Sequence, residues 1–94
     1  MAGTGYQEPT EDLSEKTRDM HRAIISLMEE IEAVDVYNQR ADACADGELK
    51  EILLHNGNEE KEHAAMLLEW IRRNDSGFDK QLRRFLFSQD EIKD

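Results

Sequence analysis

From Leu49 to Ile71 the chain reads LKEILLHNGNEEKEHAAMLLEWI. Leu49, Ile52, Leu53, Leu67, Trp70 and Ile71 recur at helical spacing and form one apolar stripe. No Pro interrupts it. Its single Gly, Gly57, costs roughly 1 kcal/mol against Ala in a helix interior, and nothing in the sequence explains it. Just upstream, Asp46-Gly47 breaks the pattern, and Asp46 is suited to cap a helix starting there. The spacing predicts a helix from Gly47 to Asn74. On a wheel turning about 100° per residue, Glu60 and His63 fall in the middle of this stripe, with apolar residues on both sides. Burying an unpaired carboxylate costs several kcal/mol, so such a group is paired, protonated or metal-bound.

The flanking sequence extends the same fold. From about Thr10 to Cys44 there is neither Pro nor Gly, and Leu13, Met20, Ile24, Leu27, Ile31, Val34 and Ala41 recur at spacings of three, four or seven. This predicts an amphipathic helix of about 35 residues, roughly 50 Å long. Pro9 suits a helix start, and residues 1–9 read as a flexible arm. Asp75 to Gly77 make a second break, where Ser76 and Asp79 resemble a capping box with Asp in place of Glu. A short third helix, with Phe78, Leu82, Phe85 and Leu86 on one face, is expected to run to about Phe87, followed by a polar tail over 88–94. Residues 10–87 are thus read as one all-α unit: a long antiparallel two-helix hairpin plus a short C-terminal helix. The outer flanks of a hairpin need another hairpin, which gives a four-helix bundle from two chains.

Composition narrows the function classes. The 94 residues carry 22 acidic against 12 basic side chains, a net charge of −10. That argues against a nucleic-acid binder, which needs a basic face, and against docking on an anionic membrane. Leu, Ile, Val and Phe number 20 of 94, too few for a small monomer to bury a large core, so association is expected. Cys44 is the single cysteine, which excludes an internal disulfide and fits a reducing compartment. No apolar run approaches a membrane span, and polar residues follow Met1 where a signal peptide would stand. The default location is cytoplasmic.

The first helix repeats the anomaly of the second. Glu30 lies on the flank of its apolar face, near Ala23, Ala41 and Tyr37 on the wheel. Counted from the loop between Ala45 and Asp46, Glu30 lies 15 or 16 residues before and Glu60 14 or 15 after. In an antiparallel hairpin they share one level, and His63 is one turn along from Glu60. Taken singly, His63 reads more readily as a hydrogen-bonded core histidine, and Glu30 equally well as half of an ion pair. Together they are harder to dismiss, because Lys61 and Arg73 lie off the stripe and Arg40 is one face over.

Glu-x-x-His on one helix plus Glu on its neighbour is half of a di-iron carboxylate ligand set. Two chains would supply the whole. Carboxylates with one imidazole per metal suit Fe or Mn; Ca, Zn or Mn could occupy the same or outer sites. Tyr37, two turns after Glu30, could support a metal carboxylate by a hydrogen bond or serve simply as an interface aromatic. Glu29 and Glu32, with Ile25 and Val36 between them, form a second acidic cluster that could capture cations or remain a solvated face. His21 and His55 fall away from the stripes.

Met20-His21-Arg22-Ala23-Ile24 through Met28-Glu29-Glu30-Ile31-Glu32-Ala33-Val34-Asp35 closely resembles the encapsulated ferritins. So do His55-Asn56-Gly57-Asn58-Glu59-Glu60-Lys61-Glu62-His63-Ala64-Ala65-Met66 and Leu68-Glu69-Trp70-Ile71-Arg72-Arg73-Asn74-Asp75. The similarity covers about Glu8 to Phe87. It implies a two-helix ferritin-like chain that pairs into a di-iron ferroxidase centre, five dimers forming a decameric ring. It further implies oxidation of Fe(II) to Fe(III) for iron storage inside an encapsulin nanocompartment, with the encapsulin shell protein as partner. By motif position Glu30, Glu60 and His63 match the ferroxidase ligands, Tyr37 a supporting residue, and Glu29 and Glu32 an outer metal site. Val36 stands where the resemblance leads one to expect Trp. No Gly- and Leu-rich shell-targeting peptide precedes the end at Asp94, so encapsulation is carried by the resemblance alone. The competing readings are a non-catalytic acidic helical adaptor and a metal-stabilised structural dimer.

Overall fold

The structure, a computed structural model, describes residues 5–94; residues 1–4 of the expected arm lie outside the described residues. A 3₁₀ turn spans Thr10–Asp12, followed by α1 (Glu15–Ala43), α2 (Gly47–Asn74) and α3 (Ser76–Phe85). No strand occurs among the described residues. The helix bounds arise from local capping chemistry. The Asp46 carboxylate accepts from the Leu49 amide at 2.9 Å and starts α2 where the sequence predicts.

The long first helix is shorter than expected. The chain does not run as one helix from Thr10 to Cys44. Leu13 (φ −100°, ψ 140°) and Ser14 (φ −69°, ψ 159°) are extended. Ser14 caps α1 by accepting from the Thr17 amide at 3.1 Å. The Arg18 guanidinium donates twice to the Thr10 carbonyl, at 3.0 and 2.7 Å. A continuous helix would need that carbonyl for its own ladder. The start of α3 is also corrected: Asp75, not Ser76, is its cap, accepting from the Phe78 amide at 2.8 Å. Asp79 is drawn instead to Arg72 and Arg83. The helix ends at Phe85, because Phe87 turns into the left-handed region at φ 58°.

Helices α1 and α2, of 29 and 28 residues, pack side by side across the three-residue connection Cys44–Asp46. Their seam is thin. Ala23, Ala41 and Ile71 are the buried apolar side chains, with Gly57 buried beside them. Small residues allow the helix backbones to approach closely: a Cβ on Gly57 would sit 3.3 Å from Cβ of Tyr37. This is the reason for the glycine that the sequence leaves unexplained.

The isolated chain leaves much apolar surface uncovered. Leu49, Ile52 and Trp70 on α2, and Met28 and Ile31 on α1, are exposed. Accessible surface is 7482 Å², against about 5,600 Å² for a compact monomer of this mass. The radius of gyration, 16.8 Å, likewise exceeds the roughly 12 Å of a compact chain this long. No helix among the described residues is long and apolar enough to cross a membrane.

Candidate metal centre

Three side chains converge at mid-height of the hairpin. Glu30 comes from α1, and Glu60 and His63 from successive turns of α2. Their ligand atoms all lie within 4.8 Å of one another. Nδ1 of His63 is 3.4 Å from Oε2 of Glu30 and 3.4 Å from Oε2 of Glu60. Neither carboxylate is paired with a Lys or Arg among the described residues. Oε2 of Glu30 is buried and has no hydrogen-bond partner. A buried acceptor left without a donor is costly. An acceptor-rich cluster lacking its own cation is the chemistry a divalent metal satisfies.

The electrostatics carry the same signature. Contact with the Glu60 carboxyl, burial and the Glu60 charge raise the pKa of Glu30, outweighing the opposing influence of His63. Burial disfavours the charged form of His63, yet contact with Glu60 and the charges of both carboxylates carry its pKa above the ordinary value. Two like charges share one site, and an imidazole is the nearest thing to a cation in it.

The centre opens to one side. The side chains of Glu30 and Glu60 are 26% and 24% exposed, while that of His63 is 47% exposed. Sequence reading places His63 within the apolar stripe; in the single chain it stands at that stripe's open edge. Ile52 and Trp70 lie within about 20° of His63 on the α2 wheel and are also exposed.

The remaining predicted residues lie outside the triad. Tyr37 is half-buried over Gly57, with the Arg40 guanidinium 5.7 Å from its ring centroid. Its hydroxyl makes no hydrogen bond to either carboxylate among the described residues. Glu29 and Glu32 are exposed on α1, with Ile25 and Val36 half-buried. His55 lies 3.7 Å from Glu59 on its own helix. His21 stacks against Tyr6, ring centroids 4.1 Å apart.

Sequence reasoning does not single out Arg72. Its guanidinium forks onto Glu69 at 2.7 and 2.8 Å and also reaches Asp79, fastening α3 to α2. The available signal was the i, i+3 spacing of Glu69 and Arg72 just before a helix break.

Comparison with known proteins identifies the family. Residues 5–89 match the EncFtn-like family. An encapsulated ferritin-like protein of Rhodospirillum rubrum is 59% identical over 92 residues, which are 98% of this chain and 66% of that protein. A ferritin-like protein of Thermotoga maritima is 53% identical over 87 residues, covering 93% of this chain and 76% of that one. The crystal structure of protein ne0167 from Nitrosomonas europaea superposes with a TM-score of 0.91 at 68% identity, over 96% of this chain and 99% of the other.

Proposed function

The chain belongs to the encapsulated ferritin family, and from that premise we propose that it is a ferroxidase whose site is completed by a second copy. Two chains pair through the face on which His63 opens. Each contributes Glu30, Glu60 and His63, and two Fe(II) ions are the substrate held between them. The carboxylates neutralise the bound cations, and each imidazole completes one of them. Each iron gives one electron to oxygen and leaves as Fe(III). Tyr37, whose hydroxyl reaches neither carboxylate of its own chain, supports a ligand carboxylate of the second copy. Glu29 and Glu32 gather cations on the outer surface; Ca, Zn or Mn compete for these positions. Five dimers form a decameric ring within an encapsulin shell that stores the oxidised iron.

One observation carries this reading: the orphaned, buried Glu30 oxygen within reach of two further ligands and of no Lys or Arg. The adaptor reading leaves that arrangement without a purpose. Aerobic addition of Fe(II) tests it. Growth of ferric-oxo absorbance is expected for the native chain, with loss of at least tenfold in rate for His63→Ala. His63 is half-exposed, so its removal leaves the fold intact by circular dichroism. A native rate in that variant sinks the assignment, and metal binding without turnover favours a structural dimer.

A further inference from the structure

An oxidisable side chain that the fold does not use stands beside the metal centre. Met66 follows His63 by three residues on α2, which places the two Cβ atoms about 5–6 Å apart on the helix surface. It stands roughly 60° around α2 from His63, at the edge of the face on which the imidazole opens. Met66 is 64% exposed, so its thioether fills no gap in the seam between α1 and α2. One turn further lies Trp70, the single tryptophan of the chain. Met66 and Trp70 line the same shallow groove, together with Ala65 and Arg73. Met28 provides the contrast. It is 49% exposed, but it stands roughly 160° around α1 from Glu30 and faces away from the ligands.

The chemistry proposed for the centre supplies an oxidant at this spot. Two Fe(II) ions that pass two electrons to one dioxygen, with two protons from solvent, leave two Fe(III) and one hydrogen peroxide. A further Fe(II) gives one electron to peroxide and splits it into hydroxide and hydroxyl radical, which attacks an indole. A thioether removes peroxide without radicals. Its sulfur lone pair attacks one peroxide oxygen, the S–O bond forms as the O–O bond breaks, and the other oxygen leaves as water carrying both protons. Methionine sulfoxide is reducible back to methionine, whereas a broken indole is not restored. We infer that Met66 is a sacrificial site that consumes peroxide released from the metal centre, becoming the sulfoxide in place of damage to Trp70. Exposure alone does not single it out, because Met28 is almost as open; nearness to the ligands does. The inference rests on the ferroxidase reading, which provides the peroxide.

Peptide mass spectrometry of the full chain after repeated aerobic additions of Fe(II), with ferric absorbance followed in parallel, tests it. Met66 sulfoxide is expected to exceed Met28 sulfoxide at least about fivefold. Reagent hydrogen peroxide without iron should oxidise the two within about twofold of each other, as their similar exposure implies. Fe(II) without oxygen should leave Met66 intact. Met66→Leu conserves volume at an exposed position. Its initial rate of Fe(II) oxidation should equal that of the wild type, while Trp70 fluorescence, read after chelation of the iron, should fall at least about threefold faster per iron oxidised. Equal oxidation of Met66 and Met28 during turnover overturns the inference, and so does a preference for Met66 that reagent peroxide reproduces in full. A Trp70 signal that decays alike in both proteins also overturns it. A wild type that develops no ferric absorbance overturns the ferroxidase reading and this inference with it.

Discussion

Substituting Ile52 by Ser tests whether the metal centre needs two chains. Ile52 lies on the His63 face of α2, three turns from His63 and two from Glu60 along the helix. Its side chain is 50% exposed in the single chain, so the hairpin itself loses little. Complete burial of an isoleucine stabilises by about 1.5–3 kcal/mol. Covering the exposed half at an interface is then worth about 1 kcal/mol per protomer. A two-fold contact uses the residue twice, so the dimer loses about 2 kcal/mol, or roughly 30-fold in Kd. The assay is the initial rate of Fe(II) oxidation as a function of chain concentration, alongside the dimer Kd from sedimentation. Ile52→Ser should move the concentration of half-maximal rate upward by that factor and leave the plateau unchanged. An unchanged curve would mean that one chain oxidises iron alone. A lowered plateau with an unaltered Kd would place Ile52 in the chemistry and refute the packing argument.

The helix contacts lead to two further outcomes. Arg72 and then Arg73 hold Glu69 down to about 2 from its ordinary 4.5, and Arg72 and then Arg83 lower Asp79. Lowered carboxylate values mean that the α2–α3 fastening is intact above the ordinary range and is lost as pH falls from about 4.5 towards about 2. Amide exchange in α3 should accelerate over that window, and Arg72→Gln should make it fast at neutral pH; protection independent of both would show that the fastening contributes nothing. Gly57→Ala gains about 1 kcal/mol of helix propensity. The added methyl meets Tyr37 Cβ at 3.3 Å, however, and a Cβ cannot swing aside as the end of a side chain can, so the helices must part and the seam around them loosens. A fall of a few degrees in Tm is expected, whereas a rise would show that the seam yields at that point and that the close approach does not require glycine.

The parts of the fold legible in the sequence are those settled within a few residues. Asp46 caps α2 through an amide three positions on, so the break and the helix it starts could be read directly. The register of Glu30 against Glu60 was legible because a short connection between two long helices fixes depth by counting alone. What was hidden depends on longer reach. The start of α1 is set by Arg18 holding the Thr10 carbonyl eight residues back, which no periodicity reports. The cap of α3 falls on Asp75 because Asp79 is committed to Arg72 across a helix break. Gly57 gains its meaning only when Tyr37 lies opposite it. The wheel placed His63 among apolar neighbours, yet the side on which it opens depends on where the other helix sits.

The fully buried part of the join between α1 and α2 is two alanines, one glycine and one isoleucine, with the larger apolar residues around them only half-covered, so a solitary chain has a thin core. If two chains complete the site as proposed, holding that structure and meeting a neighbour are linked, and the linkage depends on concentration. A newly made polypeptide would then carry its ligands as an inert half, and redox chemistry would begin only once enough copies had accumulated to meet. Dilution would act as a safety catch on iron.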